Sequence, residues 1–145
     1  MAIAKTTQKL SNLQSTSSSL REMGIYLLRA MDATKKRIAK IEETTAGGTI
    51  TYIDGATATV QIAAKFDSAL LCNGFVIVEN SRENVQAVID CWKEAITFEK
   101  LTILFLDVNT GNKWIIRPHI HEKIAEPKTL AQGLLSLHEQ SNARA

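Results

Sequence analysis

Two short apolar runs, Ala69–Cys72 and Phe75–Val78, meet at the dipeptide Asn73-Gly74, and this stretch constrains the fold most tightly. Asn-Gly is the preferred pair for a two-residue hairpin turn, because both central residues need positive φ. The pattern therefore predicts a β-hairpin. Paired across that turn, Cys72 faces Phe75, and equal steps outward bring Ser68 opposite Glu79. Asp67 then neighbours Glu79, and a bend there would let the two carboxylates share one cation.

The flanking text supplies the other elements. Residues 1–18 read as a polar, serine-rich arm, and residues 19–145 as one domain. Ser19 and Glu22 form a capping box, which starts a helix expected to run to about Glu43, before Gly47-Gly48. Its apolar positions Leu20, Met23, Leu27, Met31, Ile38 and Ile41 step by threes and fours. A weaker heptad register, with Leu20, Gly24, Leu27, Met31, Thr34, Ile38 and Ile41 among its a and d positions, predicts self-association through this N-terminal region. Asp54-Gly55 between two β-rich runs marks a second hairpin. Ser81 opens a helix carrying Val85, Val88, Ile89, Trp92 and Ala95. Leu101–Val108 is a nearly all-apolar run, which suits a strand buried on both faces. Lys113–His119 is a strand pairing back, Pro127 breaks the chain, and Lys128–Glu139 is a terminal helix. The expected class is α/β: a mixed sheet flanked by helices, in the order α-β-β-β-α-β-β-α.

Composition excludes several classes. With 45% apolar and 22% charged residues the chain is globular, and no apolar run approaches the roughly 18 residues of a membrane span. Two cysteines, Cys72 and Cys91, make no disulfide framework, and no secretory h-region opens the chain, so a cytoplasmic setting is expected. Residues 1–50 hold eight basic side chains against four acidic ones, although the whole chain is only +2. Lys35, Lys36, Arg37 and Lys40 form the densest basic cluster, a surface suited to nucleic-acid phosphates. Neither a phosphate-cradling glycine loop nor a G-x-S-x-G elbow is present.

The order α-β-β-β-α-β, with Asp67 on the second strand and Glu79 ending the third, resembles the restriction-endonuclease-like superfamily, the PD-(D/E)xK nucleases. The resemblance covers about Leu20–Val108 and places eleven residues between the two acids. It implies a restriction-endonuclease-like core in which Asp67 and Glu79 hold Mg²⁺ and phosphodiester bonds of DNA or RNA are hydrolysed. Phe66-Asp67 replaces the family's Pro-Asp, and Ser81 stands where its lysine belongs. Lys65, on the same strand face as Asp67, or Lys93 would substitute; Gln86 matches a glutamine some branches carry early in the following helix. Arg82, Gln86, Asp90 and Lys93 are expected to share one helical stripe.

The alternative is a non-catalytic scaffold of the same fold that self-associates or binds nucleic acid, with Ser81 as a plain helix cap. A third reading is a small-ligand sensor. His119 and His121 fall on one strand face, a spacing that can chelate zinc but lacks further ligands nearby. Trp92 is expected in the core, and Trp114 at a sheet edge or stacked on a base.

Overall fold

Helix α1 covers residues 19–32, the first of the described residues, which are 19–124 and 129–143 of this computed structural model. The N-terminal arm and Pro127 lie outside them. Gly24 lets α1 sit directly on the sheet, since a Cβ there would approach Ile77 Cδ1 to 2.8 Å.

The helix ends eleven residues earlier than its apolar spacing predicts. Asp32 terminates it by accepting from the backbone N–H groups of Arg37 (2.8 Å) and Ile38 (3.0 Å), while Lys36 takes φ of 50°. The chain then turns back as strand β1, Ile38–Thr44. Ile38 and Ile41 still reach one face, but through an irregularity in the β1 ladder between Ile38 and Lys40. An extra residue in a strand converts its two-residue period into a three-residue step, which imitates a helix.

Strand β2 is Gly47–Tyr52 and β3 is Thr57–Ile62, joined by the hairpin that Asp54-Gly55 predicted. Gly55 has φ of 90°, and the Asp54 carboxylate accepts from Ala56 N–H. Strand β4, Gly74–Glu79, then pairs parallel to β3, and β5, Thr102–Leu106, pairs parallel to β4. Strand β6, Lys113–Ile116, returns antiparallel to β5, as expected. The sheet is mixed and six-stranded, in the order β1-β2-β3-β4-β5-β6.

The hairpin predicted at Asn73-Gly74 does not form. Val76, Ile77 and Val78 are all completely buried, and β3 and β5 already fill both edges of β4. No edge is left for Ala69–Cys72, which belongs instead to a connection containing a short 3₁₀ turn at Ser68–Leu70. Neither Asn73 nor Gly74 has positive φ.

Helix α2, Arg82–Asp90, follows β4 and breaks at Cys91, and the short α3, Trp92–Ala95, comes after it. The last helices are α4, Pro118–Ile124, and α5, Leu130–Ala143. Strand alternation sorts the core into two layers. Ile50, Val60, Ile77, Leu104 and Leu106 face α1; Val76, Val78, Ile103 and Phe105 face α2, α3 and α5. Each such buried aliphatic contributes about 1.5–3 kcal/mol, so the central parallel strands hold the fold together. The result is an α/β sandwich with helices on both faces. Leu20, Gly24 and Leu27 of the heptad register are buried against the chain's own sheet. Among the described residues no helix is long and apolar enough to cross a membrane.

Candidate functional site

The segment linking β3 to β4 dictates where the predicted site residues go. Ala63 N–H bonds to Ile77 O, and Phe66 plugs into the core beneath α2. Asn84, 3% exposed, fastens the segment: its Oδ1 accepts from Phe66 N–H (2.8 Å), and its Nδ2 donates to Ala64 O (2.8 Å) and Glu79 O (2.7 Å). Asn84 is absent from the motif reading. Its signal was readable, since a polar residue falls beside Val85 and one turn before Val88 on the apolar side of the helix.

Asp67 follows immediately and caps the 3₁₀ turn, its carboxylate accepting from Ala69 N–H at 2.8 Å. It lies on a loop rather than a strand, so the shared strand face expected for Lys65 and Asp67 is also lost; both are exposed. Glu79 ends β4 and is half-buried. The two acids are therefore not brought together by a common hairpin. Ser81 caps α2, accepting from Asn84 N–H. Gln86 donates to Asp90 (2.9 Å), but Lys93 falls on α3, beyond the break, and leaves their stripe. Among the described residues no three His, Cys, Asp or Glu side chains gather as a metal-binding group. The hairpin expected to set Asp67 beside Glu79 is absent, with Asp67 on the β3–β4 connection and Glu79 at the end of β4.

Glu79 instead lines an open cleft of about 550 Å³ at the carboxyl ends of β4 and β5, with Ser19, Asn80, Leu106, Asp107, Val108 and Asn109. Such strand ends are where open α/β sheets bind ligands. Asp107 is partly committed, accepting from Asn109 N–H (2.8 Å) to shape the turn before β6. Among the described residues the cleft lining holds two carboxylates, Glu79 and Asp107, and no lysine or arginine. Its mainly polar lining also differs from the apolar pocket a small-ligand sensor needs.

Beside the cleft, Asn80 Oδ1 accepts from Trp114 Nε1 (2.9 Å) and meets His138 Nδ1 at 2.8 Å. Indole N–H is always a donor, so this atom is the amide oxygen and His138 must carry its proton on Nδ1. Burial, then the nearby Arg82 charge, pushes the His138 pKa below its ordinary value, opposed by Glu139 and Glu83. A group whose folded pKa is depressed supports the fold fully above its unfolded pKa, about 6.5, and loses that support as pH falls towards the folded value. We expect thermal stability to decline below about pH 6.5. A His138→Gln variant, less stable at neutral pH, should show a flatter decline in a melting series from pH 8 to 5.

The histidine expectation is corrected. His119 and His121 lie on α4, not on a strand face. His119 Nδ1 meets Ile96 O at 3.0 Å, and His121 packs edge-on against Trp92. Trp92 is a core residue, as expected, and Trp114 stacks on Phe105 at the sheet edge.

The basic cluster also leaves its predicted helix. Lys35, Lys36 and Arg37 form the exposed turn between α1 and β1, and Lys40 lies on β1, paired with Glu42 at 2.6 Å. Ile53 N–H donates to Arg37 O (2.8 Å), so the β2–β3 hairpin buttresses the turn. Among the described residues no acid forms an ion pair with Lys35, Lys36 or Arg37.

The fold and these sites define a three-layer α/β domain with a basic turn and an acidic cleft. The chain matches no family model, no curated protein and no solved structure.

Proposed function

We propose that the chain is a non-catalytic module that contacts nucleic-acid phosphates through the Lys35–Arg37 turn. One observation carries this reading: three adjacent cations are held exposed on a turn braced by Asp32 and by the β2–β3 hairpin. Cations held in place by a braced turn lose less freedom on binding than the same residues on a free tail. Lys40 contributes less, because Glu42 neutralises it. The proposed contact is binding rather than hydrolysis: Asp67 serves its local cap, and among the described residues the Glu79 cleft has no lysine or arginine to meet phosphate. Backbone contact with no base-reading element implies weak sequence preference. A reducing, cytoplasmic setting belongs to the same reading, in keeping with the unpaired thiols of Cys72 and Cys91.

Fluorescence anisotropy with labelled single-stranded and duplex 30-mers tests it. Three phosphate contacts predict duplex affinity falling about 40-fold between 50 and 200 mM salt. Replacing Lys35, Lys36 and Arg37 together by alanine should remove most of that dependence, with the melting temperature nearly unchanged. Equal binding by wild type and triple variant, or no binding at 50 mM salt, would sink the proposal.

A further inference from the structure

The opposite edge of the sheet carries a surface that the basic turn does not explain. Strand β6 is the last in the sheet order, so among the described residues one of its sides has no neighbouring strand. Two hydrogen bonds fix which groups that side presents. Asn80 N–H donates to Leu106 O (3.0 Å), turning Leu106 towards β4, and Asp107 N–H donates to Asn112 O (2.9 Å). In an antiparallel ladder the bonded pairs alternate, so Phe105 bonds Trp114, and Lys113 and Ile115 direct their backbone N–H and C=O outward. Beside this edge runs a groove of about 280 Å³ formed by Ile115, Ile116, Arg117, Ile120, His121 and Leu137. Ile120 is 51% and Leu137 41% exposed, large values for apolar side chains bordering one groove.

The rim is basic. Lys113 and Arg117 are exposed, and among the described residues neither forms an ion pair. Glu122 is turned away, accepting from Trp92 Nε1.

We propose that the β6 edge captures an extended segment of a partner protein, added as a seventh strand, with apolar side chains alternating with acidic ones. Outward backbone groups at Lys113 and Ile115 supply the ladder. Alternate side chains of the added strand enter the groove between Ile120 and Leu137, while acidic ones on its other face meet Lys113 and Arg117. This is strand addition, in which main-chain bonds give affinity and flanking pockets give selectivity. A second copy of this chain fits poorly, because pairing β6 with itself sets Lys113 and Arg117 against identical charges. At about 4.8 Å per strand, five spacings put β1 and β6 about 24 Å apart, so this edge and the basic turn can be occupied together.

Hydrogen exchange on the full chain reads the proposal directly. The probe is a ten-residue peptide of alternating valine and glutamate. At saturation, the amides of Lys113 and Ile115 should exchange at least 10-fold more slowly, while that of Trp114, already bonded to β5, should change little. Lys113→Glu and Arg117→Glu, both exposed, should each weaken peptide binding at least 5-fold and together admit an alternating valine–lysine peptide. The proposal is overturned if millimolar peptide leaves both amides unprotected, or if the lysine peptide binds the wild type equally well. It is overturned too if raising protein concentration alone, or adding a DNA 30-mer, produces the same protection.

Discussion

Replacing Asn84 by alanine should remove about 3–5 kcal/mol of stability, since three backbone groups would each lose a partner, Phe66 N–H in a buried site and the two carbonyls in part-buried ones. Phe66 N–H, Ala64 O and Glu79 O all bond to this one side chain. A small domain has about 5–15 kcal/mol in total, so the variant would sit near its folding limit. The loss is structural rather than merely local, because the same amide anchors the β3–β4 connection to the start of α2. Asn84→Asp gives the control. It keeps an oxygen for Phe66 N–H but cannot donate to the two carbonyls, and it buries a charge, so it should be no more stable than the alanine variant at pH 7. Urea denaturation measures both. An Asn84→Ala midpoint within about 1 kcal/mol of wild type would show that the connection is held by Phe66 packing instead.

Gly74→Ala should cost about 3 kcal/mol, at the upper end of overpacking effects. A Cβ at Gly74 would lie 2.0 Å from Thr59 O and 2.9 Å from Thr59 N, both backbone atoms of β3. Backbone in a central ladder cannot move aside as a flexible side chain can, so β3 and β4 must part where Thr59 pairs with Gly74. The companion variant Asn73→Ala separates this geometry from a hairpin turn. Asn73 has ordinary φ, and its side chain accepts only one exposed bond, from Lys100 N–H at 3.1 Å. It should therefore cost about 1 kcal/mol or less. In a two-residue hairpin turn the asparagine would need positive φ, and alanine there would be strained. Comparable losses in the two variants would favour the hairpin; a large loss confined to Gly74→Ala favours the parallel entry.

The glycine requirement at position 74 was thus legible, but its cause was not. The dipeptide signals that a side chain is unwelcome, and a close backbone approach produces the same signal as positive φ. Ile38 and Ile41 show a similar degeneracy, because an irregular strand and a helix both set apolar residues three apart. The candidate site suffered most. Asp67 and Glu79 have the right spacing for a metal-binding hairpin, yet that spacing has meaning only if the intervening chain doubles back on itself. The basic residues expected on one helix divide between the α1–β1 turn, which holds Lys35, Lys36 and Arg37, and β1, which holds Lys40. The Asn84–Phe66 bond and the Asn80–His138 contact join residues 18 and 58 positions apart.

What the sequence determined by itself is whatever a few neighbouring residues decide through their own backbone preferences. Asp54-Gly55 makes its hairpin, Ser81 caps its helix, and the apolar run Thr102–Leu106 is buried on both faces. A mixed sheet with helices on both faces follows from that pattern. Tertiary structure alone decided which strand took the edge of β4. Local pairing with Ala69–Cys72 would have closed a two-residue loop, whereas Thr57–Ile62 had to be brought in across a longer connection. The distant strand won because it delivers Val60 to the α1 layer while the released segment delivers Phe66 to the opposite layer. Filling both layers at once buries more apolar surface than the short loop saves in chain entropy, and no local signal records that balance.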